Sequence, residues 1–263
     1  MIIVTYNINS IRIRIAELKQ IAEKSNADII CLQEIKVEDS LFPFDEVKSL
    51  GFPYIYISGQ KSYNGVAILS RFQLYDVQAY EIIDSSHKRH ISAKLENGVE
   101  IHNFYAPAGG DIADPIINEK FDFKLRFYEA LIDWSNEAKN SNRKMIMAGD
   151  MNIAPLENDV WSHKQLLKVV SHTPIEVELM EKLRATLGWI DSSRHFVPAS
   201  EKLYSWWSYR NQDWKKSDRG RRLDHIWLTP NLASCLKSSY IMKEARDFAN
   251  PSDHVPVVTE INI

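Results

Sequence analysis

Ile2-Ile3-Val4-Thr5-Tyr6, followed later in the chain by Ala27-Asp28-Ile29-Ile30-Cys31-Leu32, decides the fold. Each is a short, nearly continuous apolar run of the kind found in a strand buried on both faces. Between them Ile11, Ile15, Leu18, Ile21 and Ala22 recur at helical spacing, and Ser10 stands where an N-cap belongs. Strand, helix and strand in that order make a βα unit that feeds a largely buried sheet.

Further along, the runs at 54–58, 65–70, 90–95 and 99–105 are strand-like with few helical segments between them, so antiparallel pairing is expected. Asn97-Gly98 between the last two is a hairpin signal, because both residues tolerate positive φ. A helix is predicted over 118–138, with Phe121, Leu125, Phe127, Tyr128, Leu131 and Trp134 on its inner side. Met145-Ile146-Met147-Ala148 resumes strand, and further strands are expected near 205–209, 225–228 and 257–261. This alternation predicts a two-sheet α/β sandwich covered by helices. No repeat, low-complexity tract or linker divides the chain, so a single domain over 1–263 is expected.

A chain of 263 residues that is 44% hydrophobic can bury a sizeable core. No apolar run is long enough to span a bilayer, and the first residues lack the basic start and cleavage site of a signal peptide, so a soluble protein without a membrane partner is expected. Cys31 lies inside an apolar run far from Cys235, which reads as a buried thiol and fits a reducing cytoplasm. The net charge of −3 gives no hint of nucleic acid, so any DNA affinity must be local. Such a locality exists in Arg210 and Lys215-Lys216-Ser217-Asp218-Arg219-Gly220-Arg221-Arg222, interleaved with Trp206, Trp207, Tyr209 and Trp214. Basic residues contact phosphates and aromatic faces stack on bases or sugars. Standing alone, the same segment reads as a solvated loop with some core tryptophans.

Polar residues sit where the strands end. If strand geometry persists, Asn7 and Asn9 point to one face, as do Asp150 and Asn152. Gln33-Glu34 closes the second strand, and a carboxylate beside an adjacent strand's amide is a plausible hard-cation site, although Glu34 alone reads as a surface acid. In Gly149-Asp150-Met151-Asn152 the acid can orient or deprotonate water while the amide donates to developing negative charge; a plain turn explains the segment equally well. Ser252-Asp253-His254 places an acid and an imidazole together, in a loop if both act. Asp224 could orient His254, with His225 as a competitor. The set is rich in oxygen ligands and proton acceptors and lacks a Cys cluster, a zinc spacing, a Gly-rich phosphate loop or a serine elbow. Magnesium-assisted phosphoester hydrolysis is the chemistry it would serve.

The ordered motifs Asn7, Leu32-Gln33-Glu34, Gly65-Val66-Ala67-Ile68-Leu69-Ser70, Asn103-Phe104-Tyr105, Gly149-Asp150-Met151-Asn152-Ile153-Ala154-Pro155, Tyr204-Ser205-Trp206-Trp207-Ser208-Tyr209-Arg210, Arg222-Leu223-Asp224 and Ser252-Asp253-His254 span the chain. Together they resemble the exonuclease III and apurinic/apyrimidinic endonuclease branch of the endonuclease/exonuclease/phosphatase superfamily.

The resemblance implies a deoxyribonuclease-I-like, four-layered α/β sandwich with helices on its outer faces. It implies a monomer acting on duplex DNA at abasic sites or 3′ ends with magnesium, manganese being a possible substitute. Glu34 would be the main metal ligand, with Asn7 beside it, Asp253 helping, and Asp150 and Asn152 in the same set. Asp150 would activate or orient water, Asn152 would bind the scissile phosphate and Tyr105 would contact it. Asp224 and His254 would stabilise charge on the phosphorus oxygens. Trp206 and Leu223 would line a pocket for an extruded abasic sugar, and Arg210 would enter the duplex. Two positions depart from the family's pattern: Arg221 stands where relatives can carry a bulky apolar residue, and Ala108 lies where a polar amide often follows the tyrosine. Other superfamily members cleave inositol phosphates, sphingomyelin or RNA tails, and some bacterial relatives are catalytically weak RNA-binding regulators.

Overall fold

β1 (Ile2–Asn7), α1 (Ile15–Ser25) and β2 (Ile29–Gln33) form the expected unit, with the two strands parallel and Asn7 opposite Gln33. The structure is a computed structural model that describes residues 1–83, 86–139, 141–211 and 213–263. Ser10 is not the N-cap of α1. Its φ is 85°, its N–H donates to Glu34 O at 2.7 Å, and a 3₁₀ turn at Ile11–Ile13 follows, so the chain is drawn along the exit of β2 before the α-helix begins at Ile15.

Two six-stranded sheets stack face to face. The first runs in the order β13 (Leu236–Ile241), β14 (Val257–Ile261), β1, β2, β4 (Val66–Ser70), β3 (Tyr54–Ser58). The second runs β5 (Tyr75–Gln78), β6 (His90–Lys94), β7 (Glu100–Tyr105), β8 (Met145–Asp150), β12 (Asp224–Leu228), β9 (Ile190–Asp191). A short ribbon pairs β10 (Trp206–Trp207) with β11 (Gly220–Arg221). The runs expected to be antiparallel are so, β3 with β4 and β6 with β7, but they belong to different sheets.

Side-chain alternation builds four layers. Ile3, Ile29, Cys31 and Ile68 face Ile91, Ile101, Ile146 and Ile226 between the sheets. On the outer face of the first sheet, Val4, Ile30 and Leu69 meet Leu18 and Ile21 of α1 and Val47 of α2 (Phe44–Ser49). On the outer face of the second, Phe104, Met147 and Trp227 meet Phe121 and Tyr128 of α3 (Glu119–Glu137) and Met180 and Leu183 of α5 (Pro174–Leu187). A four-residue helix, α4 (His163–Leu166), precedes α5.

The hairpin at Asn97-Gly98 forms, but only Gly98 takes positive φ, at 81°. Asn97 instead accepts the Val99 N–H through its side chain at 3.2 Å. The strand expected over 205–209 shrinks to the two residues of β10. Gly149 is required where it stands: its φ is 153°, and a Cβ there would fall 2.0 Å from Phe104 O. That close approach seats β8 against β7 and fixes the position of Asp150.

Candidate active site

The C-terminal ends of β1, β2, β7 and β8 open at one edge of the sandwich. Strand β12 begins there because it runs antiparallel to β8. Register places Tyr105 opposite Asp150 and Asp150 opposite Asp224 in the second sheet. Asn7 and Glu34, at the ends of the first sheet's parallel strands, meet that row across the mouth.

The strands do not continue as the alternation argument supposed. They end at Asn7 and Asp150, and the chain turns through positive φ at Asn9 (48°), Glu34 (51°), Lys36 (53°) and Asn152 (52°). Non-glycine residues in this region carry strain, and such positions cluster at functional sites. The turns still deliver the amides: Asn9 Nδ2 donates to Asp253 Oδ1 at 3.2 Å, and Asn152 Nδ2 donates to Asp150 Oδ2 at 3.1 Å. Beneath the second turn, the fully buried Lys124 donates to Asn152 O at 2.7 Å and pairs with Glu176 of α5 at 2.5 Å.

Asn7 ties the two principal acids together, donating to Asp150 Oδ2 at 2.9 Å and Glu34 Oε1 at 3.1 Å. Tyr105 also donates to Glu34 Oε1, and Lys36 Nζ lies 2.7 Å from Glu34 Oε2. Burial alone would raise the Glu34 pKa, but the Lys36 ammonium and the bonds from Tyr105 and Asn7 outweigh it and hold the carboxyl below its usual range. Burial, then the charges of Glu34 and Asp150, keep Tyr105 protonated well beyond the ordinary phenol range. Asp150 is pushed up to about 7 by burial and by Asp224 and Glu34, against the opposing pull of His254 and Asn7.

His254 Nδ1 lies 2.8 Å from Asp224 Oδ2, and its Nε2 lies 3.7 Å from Asp150 Oδ2. Burial disfavours the imidazolium, yet Asp224 and Asp150 prevail and raise its pKa to about 10. Ser205 Oγ donates to the same Asp224 oxygen at 2.7 Å and accepts the N–H groups of Leu223 and Asp224, each at 3.1 Å. The competitor His225 turns away, toward Ile153 O at 3.0 Å and Arg222. Asp253 takes the Trp206 indole N–H at 2.9 Å.

The donors suit a hard cation. Ligand atoms of Asp150, Asp224 and His254 lie within 4.8 Å of one another, but His254 and Asp224 are engaged with each other. Glu34, Asp150 and Asp253 supply carboxylate oxygens. Lys36 Nζ, between Glu34 and Asn9 Oδ1 (2.6 Å), shows that a positive charge is welcome beside Glu34. Asp224 Oδ1 is buried with no hydrogen-bond partner among the described residues, so the site retains unspent acceptor capacity. Asn7, its amide N–H groups committed to two acids and its oxygen to the Asn9 N–H at 3.1 Å, acts as their tie.

A cleft of about 720 Å³ leads away from Asp150, Asn152 and His254, walled by Trp206, Leu223, Leu166, Val170 and Arg221. Leu223 is buried in its wall and Arg210 is exposed at its rim. The aromatic, basic segment is therefore divided. Trp206 faces the cleft, whereas Trp207 is fully buried core and Lys215 is paired with Asp247 at 2.7 Å. Sequence reasoning quoted Ser205 only within a motif, without a role of its own, and missed Lys36 and Arg89, whose guanidinium lies 4.9 Å from the Tyr105 ring centroid and donates to Tyr105 O. Only Lys36 carried a signal, its spacing of two from Glu34.

The profile of the Endonuclease/Exonuclease/phosphatase family matches residues 4–254. The chain is 32% identical to exodeoxyribonuclease III of Haemophilus influenzae, with 98% of each chain covered. A DNA-(apurinic or apyrimidinic site) endonuclease of Dictyostelium discoideum is 27% identical over 91% of this chain and 65% of that protein. Among solved structures, an AP endonuclease from Archaeoglobus fulgidus superposes with a TM-score of 0.91 at 31% identity over the whole of both chains. The 3′ phosphatase NExo from Neisseria, bound to a product DNA hairpin, does so with a TM-score of 0.91 at 30% identity, also over both whole chains.

Proposed function

The chain belongs to the endonuclease/exonuclease/phosphatase family, and from that premise we propose that it is a DNA-repair phosphodiesterase of the exodeoxyribonuclease III type. It hydrolyses duplex DNA on the 5′ side of abasic sites to leave a 3′-hydroxyl, removes 3′ blocking groups, and digests strands from the 3′ end. The names of its relatives favour these activities. The reading extends to a monomer that works in the cytoplasm; no helix among the described residues is long and apolar enough to cross a membrane.

The observation that carries this proposal is the convergence on Asp150 of Asn7, Asn152 and the His254–Asp224 pair. A carboxyl poised near pH 7 is suited to taking a proton from an attacking water, and Asn152, whose amide donates to Asp150 and to Ala106 O, would turn an N–H to the phosphate when substrate binds. His254, held cationic by Asp224, faces the same space and would offset charge gathering on the phosphorus oxygens. Tyr105, kept protonated, would contact the phosphate by turning its one O–H from Glu34 to it. Glu34, Asp150, Asn152, Asn7 and Asp253 would hold magnesium, or manganese in its place. When bound, the ion neutralises phosphate charge. Trp206 and Leu223 would receive the group turned out of the duplex, and Arg210 would reach into it.

The test is incubation of the purified protein with a labelled duplex carrying a tetrahydrofuran abasic analogue, with magnesium or with a chelator. Incision that requires the metal is expected. Absence of incision, or incision unchanged by the chelator, removes the proposal.

A further inference from the structure

Strand register puts Trp206 between two residues of different chemistry, His254 on one side and Arg221 on the other. The Arg221 guanidinium lies over the Trp206 ring, 5.2 Å from its centroid. Its Nη1 donates across the cleft to Val170 O at 2.9 Å and Ser171 Oγ at 2.7 Å. Its Nε is buried without a partner, and among the described residues Arg221 belongs to no ion pair. Glu176, the nearby acid, is already engaged by Lys124, Thr173 and the Ser171 N–H. Two residues earlier, Arg219 lies over Trp161 at 4.7 Å on the same cleft, adding a second positive charge. A guanidinium partly withdrawn from water without an anion is costly, and its planar fork matches a carboxylate.

We propose that Arg221 makes the cleft beyond Trp206 a subsite for a negatively charged group attached to the scissile phosphate, so that acidic 3′ blocking esters such as phosphoglycolate are preferred over neutral ones. The inference rests on the nuclease reading above. Its geometry is set by the sheet: Arg221 and His254 flank Trp206, so their backbones stand two strand spacings apart, about 10 Å. A phosphate held at His254 and Asp150 with a two-carbon acid extending past Trp206 brings its carboxylate toward the guanidinium. A neutral sugar ring seeking the face of Trp206 must instead displace Arg221 from that face and from Ser171. In the reaction, the oxygen of water bonds to phosphorus and the bond from phosphorus to the 3′ oxygen breaks. Its electron pair stays on the 3′ oxygen, which takes up a proton. The products are a 3′-hydroxyl end and free phosphoglycolate, whose carboxylate leaves from Arg221.

The experiment uses duplexes of one sequence ending in 3′-phosphate, 3′-phosphoglycolate or its neutral 2-hydroxyethyl counterpart, together with a duplex containing internal tetrahydrofuran. For each, kcat/KM is measured with magnesium and divided by the 3′-phosphate value. The wild type is expected to favour the glycolate over the hydroxyethyl ester by about tenfold, the scale of one charge-assisted hydrogen bond. Arg221→Leu should bring that ratio near one and raise the relative incision at tetrahydrofuran, and Arg221→Lys should keep part of the preference. A wild-type ratio within about twofold of one, or a ratio unmoved in Arg221→Leu, overturns the inference, and the wild-type measurement decides even where the leucine variant does not fold. Failure of the wild type on all four duplexes removes the nuclease reading as well, whereas hydrolysis without charge preference removes this inference alone.

Discussion

Asp224 Oδ2 meets His254 Nδ1 at 2.8 Å while the far nitrogen of the same ring looks toward Asp150 at 3.7 Å. The carboxylate therefore sets both the charge and the orientation of the imidazole. Asp224→Asn keeps the shape but removes the charge that holds the proton on His254. The expected result is a fall in kcat of roughly 10²–10³-fold with little change in DNA affinity, as for other oriented imidazoles. Single-turnover incision and fluorescence anisotropy on a tetrahydrofuran duplex separate the two quantities; an equal loss in binding would place Asp224 in substrate affinity instead.

Asp150 and His254 also predict a pH profile. Asp150 must lose its proton to accept one from water, so activity should rise as pH passes upward through about 7, a bound cation moving that limb lower. His254 acts while protonated, so activity should fall as pH climbs through about 10. The kcat of the wild type against pH should thus be bell-shaped, and Asp150→Asn should abolish incision while leaving DNA binding largely intact. A fully active Asp150→Asn variant would take this acid out of the water-activating role.

Much of this arrangement was legible in the sequence because the site residues occupy strand ends, and strand ends are where apolar periodicity stops. Asp224 and Asp253-His254 could be paired in advance since one opens a strand and the others lie in a loop. What alternation could not supply was the turn beyond each strand. Asn9 and Asn152 reach the site through positive φ, in turns held by tertiary bonds, from Asn9 to Asp253 and from Lys124 to Asn152 O. Helix α5 was overlooked although its signals are local: Thr173 and Glu176 form a capping box, Pro174 opens the helix and Gly188 closes it at φ 66°. The placement of Arg221 was not legible, since its pairing with Trp206 across the ribbon joins residues with no shared periodicity.

Glu34 gathers Asn7, Tyr105 and Lys36 on its two oxygens, and its carboxyl stays ionised despite burial. Glu34→Gln removes the negative charge while preserving most contacts. The magnesium concentration needed for half-maximal incision should rise by roughly 10–100-fold, with kcat at saturating metal much less affected. Titration of magnesium in the incision assay reads this directly; an unchanged midpoint would exclude Glu34 as the main metal ligand.

Asp159 is fully buried and carries two guanidinium groups. Arg222 binds it in a two-pronged fashion, Nε to Oδ1 at 2.8 Å and Nη2 to Oδ2 at 2.9 Å, and Arg194 shares Oδ1. Arg222 also donates to Asp191 at 2.7 Å, and its backbone N–H to Asp159 O at 2.8 Å, so this acid anchors the chain between Arg221 and Asp224. Asp159→Ala leaves two cations with one remaining acid, and breaking a buried pair by removing one partner costs about 3–5 kcal/mol. For a chain of this size that corresponds to a melting temperature lower by roughly 6–20 °C. Scanning calorimetry of the wild type and the variant measures the shift. Because the same anchor sets the position of Leu223 and Asp224, incision measured well below the variant's melting temperature should also fall. Lost stability with fully retained incision would confine Asp159 to the support of the fold.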